Sequence, residues 1–342
     1  MIPCNREFRT SGSRYRDFAG AWVLCVALLA ACRRTEKLEV EDAAPPVPVV
    51  SDSSAPPPQV LYLPDGGDQV LGGFLNPVQN VPAPVPSLAL NMGRRCPPEM
   101  VDVKGSFCID RWEAVLVDAP SGRELSPYYS PLTERAKKAK AFWETERSNL
   151  GSAKSRSLEL PPVGDWQLRH SVEPMALSKP GRLPSGYVDG NSAAKACERA
   201  GKRLCRTEEW MTACRGEQGR AFPYGDHYEH GACNVFRETH PAVVLHGDAS
   251  IGHLDPRLNL VEGADGPLLR TTGATPRCAS PWGADKIYDM VGNLDEWVED
   301  GDGAFMGGFY ARATRAGCEA RITAHPKPYA DYSLGVRCCR DP

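Results

Sequence analysis

Two carboxylates, Asp289 and Glu296, stand seven residues apart in YDMVGNLDEW (288–297), on either side of a Gly-Asn turn. Such a turn can aim backbone carbonyls inward, and hard oxygens gathered on a tight loop suit Ca²⁺. The acidic residues nearby, Asp295, Glu299, Asp300 and Asp302, read as a solvated turn that raises local cation affinity. Thirteen cysteines and seven histidines are the other chemical resources of the 342-residue chain. His227 and His230, three apart in a loop-like run, read as polar loop residues rather than a ligand pair. The sequence holds no Gly-rich phosphate loop and no nucleophile elbow. A net charge of −3 and a pI near 6.2 argue against nucleic acid, which a basic face would attract.

The N-terminus predicts where these groups work. Arg6, Arg9, Arg14 and Arg16 precede an uncharged apolar run, Ala19 to Ala31, of 13 residues. That length is short for a transmembrane helix and right for a secretory signal. It ends in Leu29-Ala30-Ala31-Cys32, which resembles a bacterial lipobox, so residues 1–31 are expected to be removed and Cys32 to carry lipid. Arg33 rather than Asp follows, which fits the outer membrane of a bacterial envelope better than the inner one. Cleavage takes away four basic and two acidic residues, moving the net charge from −3 to −5. It also removes Cys4 and Cys25; with Cys32 acylated, ten cysteines remain, and an even count in an oxidising compartment reads as a disulfide framework. Spacing alone does not choose the pairs.

The rest of the chain must position these groups. Residues 32–94 carry AAPPVPVV, SAPPPQV and NPVQNVPAPVP, too poor in core formers to offset backbone entropy, and read as a disordered, partly polyproline linker. The folded domain is expected over 95–342. SFCIDRWEAVLVD (106–118) alternates in part, as a strand does. Residues 130–182 read as a polar insertion in which LTERAKKAKAFWETERSNL forms a solvated helix with a narrow face of Ala136, Ala139, Phe142 and Trp143. DGNSAAKACERAG (189–201) predicts a helix capped by Asn191 or Ser192, with Ala193, Cys197 and Ala200 on one face and a stop at Gly201. TEEWMTACRG (207–216) repeats the device, with Thr207 as cap and Trp210, Ala213 and Cys214 inward.

CERAGKRLCRTEEWMTACRG (197–216), FPYGD (222–226), YDMVGNLDEW, GGFY (307–310) and GVRC (335–338) occur in this order, and together they resemble the formylglycine-generating enzyme, or sulfatase-modifying factor, family. The same fold occurs in ergothioneine-type sulfoxide synthases and pyoverdine-maturation proteins. The resemblance implies an α+β, C-type-lectin-like domain with little regular secondary structure and many disulfides. It implies the bridges Cys197–Cys338 and Cys214–Cys318. For the rest, nearness in sequence suggests Cys96–Cys108, nearness to the first pair suggests Cys205–Cys339, and Cys233–Cys278 remains. It also implies a structural calcium held by Asp289, the carbonyls of Gly292 and Leu294, and Glu296, and a second one near Asn234, Val235 (carbonyl) and Asp265.

Catalysis is where the sequence departs from the family. The family's oxidase holds Cu(I), a soft ion, on two thiolates. At the matching positions this chain has Arg312 and Gly317, so no copper is expected; Cys318, one place beyond, is spoken for by Cys214. The His-x-x-x-His-x-Glu iron cluster of the sulfoxide synthases is absent as well. The expected protein is thus a lipid-anchored monomer, membrane-tethered through Cys32, whose calcium-stiffened domain presents loops 217–280 and 303–330 to a protein or glycan. The competing reading is an enzyme, either a formylglycine-generating oxidase acting on a sulfatase cysteine or a divergent metal-dependent oxidase.

Overall fold

The computed structural model describes residues 95–342. The signal segment, Cys32 and the linker lie outside the described residues. The domain is α+β, built from short elements. It opens with β1 (Met100–Val103), β2 (Phe107–Asp110) and β3 (Ala114–Asp118). Three helices follow, α1 (Thr133–Glu146), α2 (Ala153–Ser157) and α3 (Asp165–Arg169), and then β4 (Pro174–Ser178). The centre holds α4 (Gly190–Arg199), β5 (Arg203–Leu204), α5 (Thr207–Arg215) and α6 (Pro241–His246). The remainder is β6 (Glu262–Gly263), β7 (Gly266–Pro267), β8 (Ala279–Trp282), β9 (Asp285–Tyr288), β10 (Asp295–Val298), β11 (Ala304–Met306), β12 (Arg321–Ile322), β13 (Leu334–Val336) and β14 (Cys338–Arg340).

Two four-stranded sheets organise these pieces, in the orders β1-β2-β14-β5 and β12-β11-β10-β13. The first brings the domain's beginning and end together, since β14 pairs antiparallel with both β2 and β5. In the second, β10 runs parallel to β13 and antiparallel to β11. The β1–β2 hairpin turns through Lys104, Gly105 and Ser106, with Lys104 and Gly105 at positive φ and the Ser106 N–H donating to the Val103 carbonyl at 3.0 Å. The stretch expected to alternate is split instead into β2 and β3, whose residues are buried on both faces. An alternating pattern needs one wet face, and neither strand has one.

Helix α4 is capped by Asp189, whose Oδ1 accepts the Ser192 N–H at 2.8 Å, two to three residues ahead of the expected caps. It ends before Gly201, which takes φ +67°. Thr207 is the first residue of α5 rather than its cap; the Glu209 carboxylate reaches back to the Arg206 N–H at 2.9 Å. Thr207 itself donates to Asp300. Helix α1 also departs from expectation. It is not simply solvated, because Trp143 is buried 5.2 Å from the His246 ring, with the Arg257 guanidinium 5.3 Å from its own.

All ten cysteines of the described residues are bridged. The pairs are Cys96–Cys108, Cys197–Cys338, Cys205–Cys339, Cys214–Cys318 and Cys233–Cys278, with Cα separations of 4.7 to 5.6 Å. Three of them close loops of more than 100 residues. Loop closure of that length restricts the unfolded chain most, at roughly 2–4 kcal/mol per bridge. No helix of the described residues is long and apolar enough to cross a membrane.

Candidate functional site

The loop from Asp289 into β10 is held by an unusual backbone. Asp289, Gly292 and Asn293 all adopt positive φ. At Gly292 a Cβ would fall 2.2 Å from the Asn234 carbonyl oxygen, so only glycine fits there. The Asn293 N–H donates to that same carbonyl at 2.8 Å. Its side chain locks the turn: Oδ1 accepts from Asn234 Nδ2 and the Arg270 N–H, while Nδ2 donates to Glu113 and the Arg270 carbonyl.

Three buried carboxylates and one buried guanidinium meet under this loop. Glu296 accepts Trp210 Nε1 at 2.7 Å, Arg337 Nε at 2.9 Å and Arg337 Nη2 at 2.7 Å. Arg337 spends its other donors on the carbonyls of Asp110 and Tyr288. Glu113 accepts the Leu294 N–H at 3.0 Å, and Asp289 accepts the Gly273 N–H at 2.6 Å. Burial, reinforced by the charges of Asp289 and Glu296, pushes Glu113 well above the usual carboxylate range. Burial also pushes Asp289 up to about 6, against the opposing pull of the Gly273 N–H. One guanidinium faces three carboxylates, and the repulsion among them adds to burial in raising Glu113 and Asp289. Sequence reasoning missed Glu113, Trp210 and Arg337. Arg337 lies inside GVRC, flanked by buried Val336 and Cys338, and a lone charge in so apolar a setting was the available signal.

In the two expected calcium sets arginines hold the side-chain oxygens of Glu296, Asn234 and Asp265, while Asp289 accepts the Gly273 N–H instead. Glu296 commits both oxygens to Arg337 and Trp210. Asn234 accepts Arg237 Nη1 at 2.9 Å and donates to the Leu268 carbonyl, and Asp265, 61% exposed in its side chain, pairs with both Arg237 and Arg270. The latter two cations would repel a dication near Val235. Among the described residues no group of three or more His, Cys, Asp or Glu side chains is arranged to hold a metal ion. As arranged, Arg337 supplies the cation at Glu296, and a calcium ion there would have to displace it.

The positions matched to the family's copper cysteines lie on the segment after β11. Arg312 donates to Asp295 Oδ2 from Nη2 at 2.6 Å and from Nε at 3.2 Å, and its guanidinium sits 5.1 Å from the Phe309 ring centre. Asp295 is therefore no part of a solvated acidic turn. It is buried, accepts the Gly308 N–H as well, and is pushed up to about 6 by that burial, against Arg312. Glu299 and Asp300 are paired too, with Lys327 and Arg321. Gly317 has φ +58°, and a Cβ there would stand 2.3 Å from the Ala221 carbonyl oxygen and 2.9 Å from the Phe222 ring. Cys318 is buried and bonded to Cys214. A guanidinium and a glycine without room for a side chain take the place of two soft donors, so these residues do not fit Cu(I). His227 and His230 stay in their loop, where His230 Nδ1 lies 3.5 Å from the Tyr228 hydroxyl.

A disulfide-laced α+β domain with a locked Gly-Asn loop defines a class of small, irregular, covalently braced folds. Residues 97–342 match the model of the sulfatase-modifying factor enzyme 1-like domain, and the chain belongs to that family. It is 26% identical over 234 residues to the mouse (Mus musculus) formylglycine-generating enzyme, covering 64% of this chain and 57% of that one. It is 30% identical over 143 residues to the Bos taurus formylglycine-generating enzyme, covering 41% of this chain and 33% of that one. The chain thus spans a third to somewhat over half the length of these relatives. Among solved structures, PvdO from Pseudomonas aeruginosa is 16% identical with a TM-score of 0.34, covering 69% of this chain and 80% of its own. The Major Tropism Determinant U1 variant is 14% identical with a TM-score of 0.35, covering 73% and 54%.

Proposed function

We propose that this domain is a non-catalytic binding or scaffold module, held at a bacterial outer membrane through lipid on Cys32 and presenting loops 217–280 and 303–330 to a protein or glycan. The observation that carries the reading is the pair of substitutions at the copper positions: Arg312 is tied to buried Asp295, and Gly317 has no space for a thiol. Five disulfides in place of any free thiol among the described residues support it further. Stiffness in this reading comes from the bridges and from Arg337 rather than from calcium. The test is turnover: the mature protein, given Cu(I), oxygen and a cysteine-bearing sulfatase peptide, should form no aldehyde.

A second reading, an oxidase converting a sulfatase cysteine to formylglycine, is favoured by what the mouse and bovine relatives are called. Aldehyde formation dependent on added copper would establish it and end the scaffold reading.

A further inference from the structure

A cleft of about 750 Å³ lies between α1, the loops 252–256 and 328–330, and the segment 128–130. Its walls are aromatic, with Tyr129, Trp143, Tyr187 and Tyr329 prominent, and both charged side chains that line it, Arg135 and Lys138, are basic. Phe142, 52% exposed, and Leu254, 56% exposed, stand at its edge. The large apolar side chains left exposed among the described residues, these two with Leu132, Leu150, Val243 and Ile251, all belong to α1, the residues on either side of it, α6 and the 249–254 loop. Exposed apolar surface gathered in one region marks an interaction site more often than chance.

The charge of this corner runs against that of the protein. Residues 132–156 hold seven Lys or Arg against three Glu, in a chain of net charge −3. Lys138 makes no ion pair among the described residues, and Arg135 gives one nitrogen to Asp189 and another to the Pro328 carbonyl. The cleft is also pre-formed. Asp255 accepts Arg257 Nε at 2.9 Å and pairs with His246 at 3.0 Å, while its carbonyl accepts the Tyr187 hydroxyl at 2.6 Å. That network fixes the floor beneath Trp143, so little ordering entropy opposes binding.

We propose that this cleft binds an acidic, extended protein segment that inserts an aromatic, leucine or proline side chain between Trp143, Phe142 and Tyr329 while its carboxylates meet Lys138 and Arg135. The cleft's concavity favours a chain over a flat anionic membrane. Its lining has no Asp, Asn, Glu or Gln to read sugar hydroxyls, which favours a peptide over a glycan. This deepens the binding reading by naming a site and a ligand class, and it does not depend on the state of the cysteines.

The experiment selects a displayed library of random decapeptides on the purified mature chain, in parallel with its Lys138→Glu and Phe142→Ser variants, two substitutions at exposed positions. Anionic phosphatidylglycerol vesicles and an acidic polysaccharide are run beside them. Enriched peptides should carry Asp or Glu around one large apolar residue. Both variants should weaken the best of them on the order of tenfold or more while keeping the parent melting temperature. Enrichment of basic or uncharged peptides, no enrichment, equal binding by both variants, or saturable binding of only the vesicles or the polysaccharide would overturn the proposal. A failed selection with no free thiol would remove this site and leave the scaffold reading standing. Free thiols beside a successful selection would do the reverse.

Discussion

Arg312 and Asp295 form a two-point ion pair, 2.6 and 3.2 Å, at the position where a relative with copper chemistry would need its first sulfur. The carboxylate is buried and the guanidinium is partly open, with 27% of its side chain exposed. Replacing the cation with a thiol therefore does more than add a ligand. It strands a buried acid.

Arg312→Cys is expected to lower stability by about 2–3 kcal/mol, below the full cost of breaking a wholly buried pair because Arg312 keeps contact with water. Gly317→Cys adds strain, since its Cβ must displace the Ala221 carbonyl or the Phe222 ring. The double variant should melt well below the parent and take up no stoichiometric Cu(I). A stable double variant binding one equivalent of copper would contradict the finding that these two positions have no room for a pair of sulfurs.

Arg337 governs the loop below. Arg337→Met should leave Glu296 buried without its cation and cost roughly 3–5 kcal/mol. Chelation of the parent protein with EDTA should leave its melting temperature unchanged, because Glu296 has no oxygen to spare. A fall on chelation, restored by calcium, would mean that Glu296 leaves Arg337 for the ion.

The buried acids set an unusual pH profile. Asp289 and Asp295, both pushed up to about 6, bind more protons folded than unfolded between their unfolded values and that point. Their contribution to stability is present below the unfolded values and lost as pH rises through about 6; Glu113, also raised by burial, loses stability with rising pH in the same sense. Asp255 works the other way: burial is outweighed by His246 and Arg257, its pKa is lowered, and its contribution is lost as pH falls through the folded value. Calorimetry should find the domain most stable near pH 5 and several degrees lower at pH 8, and Asp289→Asn should flatten the alkaline limb. A melting temperature rising steadily from pH 5 to 8 would contradict this assignment.

The bridge Cys197–Cys338 fastens α4 to β14 and closes the longest loop, at a sequence separation of 141. Cys197→Ser with Cys338→Ser should cost about 2–5 kcal/mol, read in a urea melt. A loss under about 1 kcal/mol would show that Cys205–Cys339, which remains, is enough to brace β14.

Much of this architecture could be read from the chain because its markers are local. Gly201 and Gly216 stop their helices where expected, and YDMVGNLDEW announces a turn that only Gly292 can make. What could not be read was direction. Glu113 sits amid residues buried on every side, so no periodicity distinguishes an inward carboxylate from an outward one. Asp295 looked like one more acid in a run of acids, and only the return of the chain at Arg312 gives it a partner. Trp143 and Phe142 are adjacent, yet one docks beside His246 while the other faces solvent, a choice made by α6, about 100 residues later. Arg337 stands between residues that bury, but nothing local tells that its cation pairs with Glu296, 41 residues earlier.

Sulfur separates a scaffold from an oxidase here. The mature chain, unfolded in guanidinium without reductant and treated with an alkylating agent, should gain no adduct in its intact mass, because all ten cysteines of the domain are bridged. Two alkylated thiols per chain, with one of them at Cys318, would contradict it and return the protein to the oxidases.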